Sequence, residues 1–440
     1  MTTGTNQPRV KLGCIADDFT GATDLANMLV RGGMRTVQTI GIPSPGTIID
    51  ADAVVVSLKS RTTPAADAIA ESLAACRWLR AAGAQQIFFK YCSTFDSTER
   101  GNIGPVADAL MTELGCDFTI ACPAFPENGR SVYRGYLFVG DQLLNESGME
   151  KHPLTPMTDA NLVRVLQSQT TRRVGLARCD TVAAGAKALS ARFDALRAEG
   201  VGMAIVDALS DADLHTIGTA CAQLPLVTGG SGIAIGLPAN FQQQGLLKDT
   251  GHASALPRID GPALIISGSC SKATNAQVGE WSRSRPALRI DPFALHRGEP
   301  VVEQALGWAR ERIAREPVLI YATSTPEEVA AVQKALGVEA AGTLIEDALA
   351  SIAGALVRDG VRKLISAGGE TSGAVVKALG VRSMRVGPQI DPGVPWMVAR
   401  RELAAGEGQG AGADIALALK SGNFGATDFF AKALAMLDAA

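Results

Sequence analysis

The sequence predicts an α/β protein of two domains, each a mainly parallel sheet covered by helices, with the active site in the cleft between them. Three observations predict this. Short apolar runs alternate with helix-period segments along the chain, the pattern of strands joined by crossover helices. A polar stretch from Ala239 to Asp260 interrupts the alternation once, as a linker does. The 440 residues also exceed the roughly 150 typical of one domain. The expected division is an N-terminal domain over 1–245 and a C-terminal domain over 246–440.

In the first half the expected strands are 10–16, 35–40, 53–58, 86–90, 117–121, 172–177 and 202–206. They are short, apolar and rich in β-branched residues, as buried parallel strands are. The Ala-rich amphipathic segments 64–82, 102–114, 181–199 and 209–223 are long enough to be the crossover helices. In the second half strands are expected near 262–267, 287–290, 317–322, 361–366, 381–386 and 414–419. Helices are expected near 271–284, 301–315, 326–336, 340–359 and 427–438. The glycine-rich segment Ala404 to Gly412 is expected to be a flexible surface loop.

Lys plus Arg number 41 and Asp plus Glu 44, a net charge of −3. That balance argues against nucleic acid or an anionic membrane surface as partner. No apolar run approaches the ~20 residues of a membrane span, and Met1 to Pro8 carries no apolar signal core. The expected location is the cytoplasm. The eight cysteines form no C-x-x-C pair and are expected to be reduced core thiols. The four histidines are scattered, without metal-ligand spacing.

Chemistry concentrates at strand ends. The first strand runs into Asp17-Asp18-Phe19-Thr20-Gly21, and carboxyl ends of strands are where open α/β sheets bind ligands. Two acids there need water, a cation or a polyhydroxy ligand, because burying them unpaired is costly. The strand at 53–58 leads into Lys59-Ser60-Arg61. The strand at 86–90 leads into Lys90-Tyr91-Cys92-Ser93-Thr94-Phe95-Asp96, and a further loop reads Cys122 to Arg130. Cations of this kind hold carboxylate or phosphate, while acids and hydroxyls hold sugar hydroxyls. Taken singly each has a plainer reading: Asp17 or Asp18 as a helix N-cap, Arg61 as a surface ion pair, Asp96 as a turn cap.

The second half carries three strand–loop–helix junctions rich in Gly, Ser and Thr: Ser267-Gly268-Ser269-Cys270-Ser271, Ser366 to Gly373, and Lys420-Ser421-Gly422-Asn423. Glycines admit close backbone approach, and helix N-termini attract phosphate. There is no G-x-x-x-x-G-K-[ST] or G-x-G-x-x-G loop. Lys420 is expected to be a solvated surface residue, with phosphate neutralisation as the alternative. An anionic-polyol domain joined to a nucleotide domain suggests a two-domain kinase, in which an Asp at a strand end could serve as base.

These motifs resemble the four-carbon acid sugar kinase family over about residues 10 to 435. The resemblance rests on A-D-D-F-T-G-A-T-D at 16–24, S-L-K-S-R at 57–61, K-Y-C-S-T-F-D-S-T at 90–98 and C-P-A-F-P-E-N-G-R at 122–130. It extends through S-G-S-C-S-x-A-T-x-x-Q at 267–277, G-G-E-T-S-G at 368–373 and K-S-G-N-F-G at 420–425. The S-T-F-D-S-T form, Pro153 to Met157 and the last motif are most similar to the 3-oxo-tetronate 4-kinases. The resemblance implies an alcohol-accepting phosphotransferase that uses ATP, with Mg²⁺ implied by the ATP. It also implies an N-terminal acid-sugar domain and a C-terminal nucleotide domain. The nucleotide positions it implies are Ser269, Gly368, Gly369, Glu370, Thr371 and Gly422, with Ser267 a neighbouring candidate. In the first domain Asp18 is expected to be the general base, with Asp17 assisting or binding metal. Lys59, Arg61, Lys90 and Arg130 are expected to hold carboxylate or phosphoryl, beside Thr20, Ser93, Thr94 and Asp96. The alternatives are a threonate or erythronate kinase, or a non-catalytic sugar-acid-binding protein. A homo-oligomer is compatible with all three.

Overall fold

The run Leu12–Ala16 (β1) is buried at all five positions, so it needs neighbours on both edges and cover on both faces. In the computed structural model it has them. The strands Thr36–Ile40 (β2), Ala53–Ser57 (β3), Gln86–Lys90 (β4) and Thr119–Cys122 (β5) belong to the same sheet. So do Arg173–Ala177 (β9), Val201–Val206 (β10) and Leu226–Gly229 (β11). The order is β2-β3-β1-β4-β11-β5-β10-β9, and every pairing is parallel. The described residues are 10–96, 98–151, 155–247, 251–400 and 414–438. Pro153 and Leu154 of the expected family segment, and the glycine-rich stretch 404–412, lie outside them. The chain divides into two units, Met1–Ser254 and Ala255–Ala440.

The register of the first sheet positions its loops. Ala16 pairs with Ser57 on one side and with Lys90 on the other, so β1, β3 and β4 end in one row. The chain runs to β2 and β3 on one side of β1 and then crosses to β4 on the other. β1 is therefore the switch point, where ligand crevices form in such sheets. The helix Phe19–Arg31 leaves this row. Asp18 caps it, accepting from Gly21 N at 3.2 Å, and Ala22, Leu25, Ala26 and Leu29 lie on its buried face.

Three departures from the sequence expectation in the first unit bear on its architecture. β11 has only four residues and ends in Thr228-Gly229, a composition that favours turns; pairing with β4 and β5 overrides it. The start of the expected linker is helical, over Pro238–Gln243. The third is a small antiparallel sheet of Arg130–Tyr133 (β6), Tyr136–Val139 (β7) and Gln142–Leu143 (β8). Its first turn places Arg134 at φ 51° and Gly135 at φ 78°. An arginine is uncommon there. The fully buried Asp207 compensates by accepting from the backbone N–H of Arg134 (2.7 Å), Gly135 (2.8 Å) and Cys179 (3.0 Å). A turn held from a distant strand end leaves little local trace in sequence.

The second unit holds Ala263–Ser267 (β12), Ala287–Arg289 (β13), Val318–Tyr321 (β14) and Lys363–Ala367 (β15). It continues with Ser383–Asp391 (β16), Val394–Arg400 (β17) and Asp414–Lys420 (β18). The order is β13-β14-β12-β15-β18-β17-β16; the first five are parallel, and β17 runs antiparallel to β16 and β18. β17 was not among the expected strands, and it carries Pro395, a residue that argues against a strand interior. It is accommodated beside a register shift opposite Gln389. Trp396 of β17 is fully buried with Trp281, Phe429 and Phe430, and its indole N–H donates to Ala433 O at 2.9 Å. Within the helix Val338–Arg358, Ala340–Arg358 is the one described helical stretch long and apolar enough to cross a membrane. Leu349, Ile352, Ala353 and Leu356 along it are buried within the unit.

Ser267 pairs with Ala367, and Ala367 with Lys420. Three parallel strands thus end level in this unit too, around its own switch point at β12.

Candidate functional sites in the two units

The row Ala16, Ser57 and Lys90 puts three loops side by side. Asp17 ties them: its N–H donates to Lys90 O (3.1 Å), and its carbonyl accepts from Ser60 N (3.0 Å) and Arg61 N (3.2 Å). Its carboxylate takes a two-pronged bond from Arg61, Nε to Oδ2 at 2.9 Å and Nη2 to Oδ1 at 2.8 Å. Arg61 Nη2 also donates to Asp18 Oδ1. Such forked pairs fix geometry as well as charge. Asn102 braces the loop from behind, its amide donating to Ser60 O (2.8 Å) and Thr63 O (2.9 Å).

Lys90 is 3 % exposed. A Cβ on Gly21 would lie 2.4 Å from Lys90 Nζ and 2.3 Å from Asp18 Oδ1, so the ammonium and the carboxylate flank that glycine. Burial raises the Asp18 carboxyl, but Arg61 and Lys90 outweigh it and hold it below its ordinary value. Asp18 is therefore ionised at neutral pH. Burial pushes the Asp17 carboxyl up, and Arg61 opposes this only in part.

The third loop turns on Phe95, fully buried at φ 55° with its ring edge-on to Tyr91 (5.4 Å between centroids). A non-glycine residue held in this region marks a backbone fixed by its surroundings. Beside it Cys92 Sγ meets Thr94 Oγ1 at 2.9 Å, and Thr94 Oγ1 donates to Asp96. Asp17, Arg61, Cys92, Asp96 and Asn102 line a cavity of ≈ 10 Å³, about one water in size.

Of the residues expected in this domain, the structure gathers Asp17, Asp18, Arg61 and Lys90, with Asp96 on the adjoining cavity wall and Thr94 bonded to it. Thr20, in the first turn of Phe19–Arg31, and Ser93 are partly exposed, and Lys59 is exposed. Arg130 lies on the small sheet, where its guanidinium donates to Asn128 O. The plainer reading of Asp18 as an N-cap holds as well, since one oxygen caps the helix while also accepting from Arg61.

Asp24 was passed over, although it stands in the first motif. It sits one helical turn beyond Gly21, its Oδ1 sealed from solvent without a hydrogen-bond partner. Burial pushes its carboxyl up to about 6, and neighbouring Ser231 and Lys90 offset only part of that. The spacing of three from Gly21 was the available signal. An acid whose pKa is raised by folding favours the fold below its unfolded value of 3.8 and loses that contribution as pH rises through about 6. At pH 7 the ionised group therefore costs about 3 kcal/mol. Asp24→Asn is expected to raise the melting temperature at pH 7 and to leave it unchanged near pH 3. A gain that is equal at both pH values would contradict this.

In the second unit the loops after β12, β15 and β18 interlock. Gly268 N and Ser269 N donate to Ala367 O (3.1 and 3.2 Å), and Gly368 N donates to Lys420 O (2.8 Å). A Cβ on Gly268 would lie 2.3 Å from Thr371 Oγ1, and one on Gly422 would lie 2.5 Å from Ser269 Oγ. Ser269, Gly368, Thr371 and Gly422 therefore converge. Gly369 and Glu370 are exposed at the start of the helix Gly369–Ala378. Ser267 is fully buried behind them, its hydroxyl 2.7 Å from that of Thr323. Lys420 corrects the sequence reading: it is not a surface residue but is 1 % exposed. Its ammonium donates to Thr274 Oγ1, Ser421 O and Gly422 O.

Each unit matches a family model. Residues 12–237 match a sugar-binding N-terminal domain and residues 264–430 a nucleotide-binding C-terminal domain. A Burkholderia multivorans protein named 3-oxo-tetronate kinase is 66% identical over 440 residues, covering all of both chains. The chain belongs to the four-carbon acid sugar kinase family. A Cupriavidus necator relative of the same name is 63% identical over 99% of each chain. Among solved structures, a Haemophilus influenzae protein catalogued under a domain of unknown function is 44% identical. It covers 97% of this chain and 100% of its own, with a TM-score of 0.83. One from Salmonella typhimurium, described as a putative tRNA synthase, is 43% identical over 96% and 98% with a TM-score of 0.87. As a member of this kinase family the chain is a phosphotransferase with a nucleotide-binding domain, and the reading as a non-catalytic binding protein is set aside.

Proposed function

We propose that this chain transfers the γ-phosphoryl group of ATP to the 4-hydroxyl of a 3-oxo-tetronate, giving 3-oxo-tetronate 4-phosphate. The observation that carries this is the half-buried cluster of Asp17, Asp18, Arg61 and Lys90 at the level ends of three strands. It sits in the unit that matches a sugar-binding domain, and the most similar relatives cited above bear the 3-oxo-tetronate name. Lys90 and the outer face of Arg61 supply charge for a carboxylate or a transferring phosphoryl. Asp18, kept ionised, accepts the proton of the attacking hydroxyl. Asp17 orients Arg61. In the second unit the N–H groups that open Gly369–Ala378, with Ser269 and Gly422, receive the nucleotide phosphates.

Mg²⁺ enters with ATP as part of the substrate. A cation of this kind keeps several waters and is held mainly by the phosphates. Glu370 is the exposed carboxylate among the nucleotide loops.

The test is a coupled ATP-consumption assay across D- and L-3-oxo-tetronates, threonates and erythronates. Turnover confined to a 3-oxo-tetronate is expected; a preference for threonate or erythronate would replace the substrate assignment. Asp18→Asn is expected to lose about 10²–10⁴-fold in kcat, and near wild-type turnover would remove Asp18 as the base.

A further inference from the structure

Lys420 ends β18 level with Ser267 and Ala367 and bonds the loop after β15, its own loop and the helix Lys272–Ser282 that follows the first loop. Its carbonyl accepts from Gly368 N at 2.8 Å. Its ammonium donates to Thr274 Oγ1 at 2.9 Å, Ser421 O at 3.2 Å and Gly422 O at 3.1 Å. Gly422 O is itself a hub, accepting also from Ser271 Oγ (2.5 Å) and Thr274 Oγ1 (2.8 Å). An ammonium has three protons to donate, and all three have protein acceptors here. Lys420 therefore has no donor left for a phosphate oxygen. Its influence on a nucleotide must pass through the loops it ties together.

The charge is also unbalanced. The acceptors are two carbonyls and a hydroxyl, and none is a carboxylate. The charged side chains on the two adjoining helices are Lys272 and Glu280 on Lys272–Ser282, and Glu370 and Lys377 on Gly369–Ala378. Among the described residues none of these pairs with Lys420, and Glu280 is engaged by Arg283. Burial alone brings the ammonium down to about 8. A buried cation without a counter-ion is costly, and an anion placed on these loops offsets that cost.

We propose that Lys420 is the positioning residue of the nucleotide site: its buried ammonium ties the helix that follows the first loop to the loop after β18, its carbonyl holds the loop after β15, and through them it favours polyanionic nucleotide. This rests on the reading of the second unit as the ATP site. Positioning through loops predicts an effect on nucleotide binding and not on the acid sugar. It also predicts reciprocity, since a bound anion that favours the ammonium must itself be favoured by it.

The test compares ATP binding by calorimetry and steady-state kinetics for the wild type and Lys420→Met, from pH 6.5 to 9. The variant is expected to weaken ATP binding about 10- to 100-fold, the loss of charged hydrogen bonds, with the acid-sugar KM unchanged. Wild-type ATP affinity is expected to fall as pH rises past about 8, and that fall is expected to be missing in the variant. Unchanged ATP affinity in a folded variant, equal losses for both substrates, or the same pH profile in both proteins would each overturn the proposal. Wild-type protein that binds no ATP would overturn the site reading and the proposal together. Should Lys420→Met not fold, Thr274→Val removes one acceptor and keeps the charge. It is expected to weaken ATP binding about 3- to 10-fold, and no change would overturn the proposal.

Discussion

Replacing Arg61 by methionine is expected to lower kcat/KM by about 10³-fold or more and to destabilise the protein by about 3–5 kcal/mol at pH 7. Both effects have one origin. Arg61 is one quarter exposed and Asp17 is 8% exposed at their side chains, so their pairing is mostly shielded from water. Removing the guanidinium leaves the Asp17 carboxylate buried without its partner, beside a second carboxylate on Asp18. The loss should shrink as the pH falls, because protonation relieves an unpaired acid. Arg61→Lys restores the charge but not the fork, so it should recover stability more than activity. Denaturant unfolding and initial rates at pH 5 and pH 7 check this. A methionine variant as stable as the wild type at pH 7 would show that the cluster does not hold the loops.

Gly21→Ala is expected to separate activity from stability. The position lies in the first turn of Phe19–Arg31, where alanine is a better helix former by up to about 1 kcal/mol. The added Cβ, however, would fall 2.3 Å from Asp18 Oδ1 and 2.4 Å from Lys90 Nζ. Lys90 Nζ is the end of a flexible side chain and can retreat. Asp18 can do so only by giving up the cap or its bond to Arg61. The expected result is a melting temperature within a few degrees of wild type and a loss of about 10²-fold in kcat, the scale of a displaced acid–base group. Full activity would mean that the spacing of Asp18 and Lys90 is not what turnover depends on.

The first site was largely legible because each of its parts is local. A buried run followed by Asp17-Asp18, then Arg61 and Lys90 just past or at strand ends, signals a crevice in the sequence alone. Only the register of β1, β3 and β4 was needed to bring them together. What escaped depends on distant partners. Arg134 adopts a left-handed turn because Asp207 receives its N–H from more than seventy residues away. β17 keeps Pro395 because its neighbour shifts register to admit it. Asp24 looked like one more polar residue on a helix until burial of one oxygen distinguished it. Lys420 is buried against the rule that lysines seldom are, because Thr274, 146 residues earlier, joins the carbonyls of its own loop as acceptors for its protons.

The level strand ends limit how such an enzyme can evolve. One residue inserted into β1, β3 or β4 would carry the following loop about 3.3 Å along the sheet and turn its side chains to the opposite face. Strand length in both units is therefore frozen by the ladder, and drift toward another substrate must come through the loops that the strands carry. Descendants with new substrates would keep the same ruler and change only what is mounted on it.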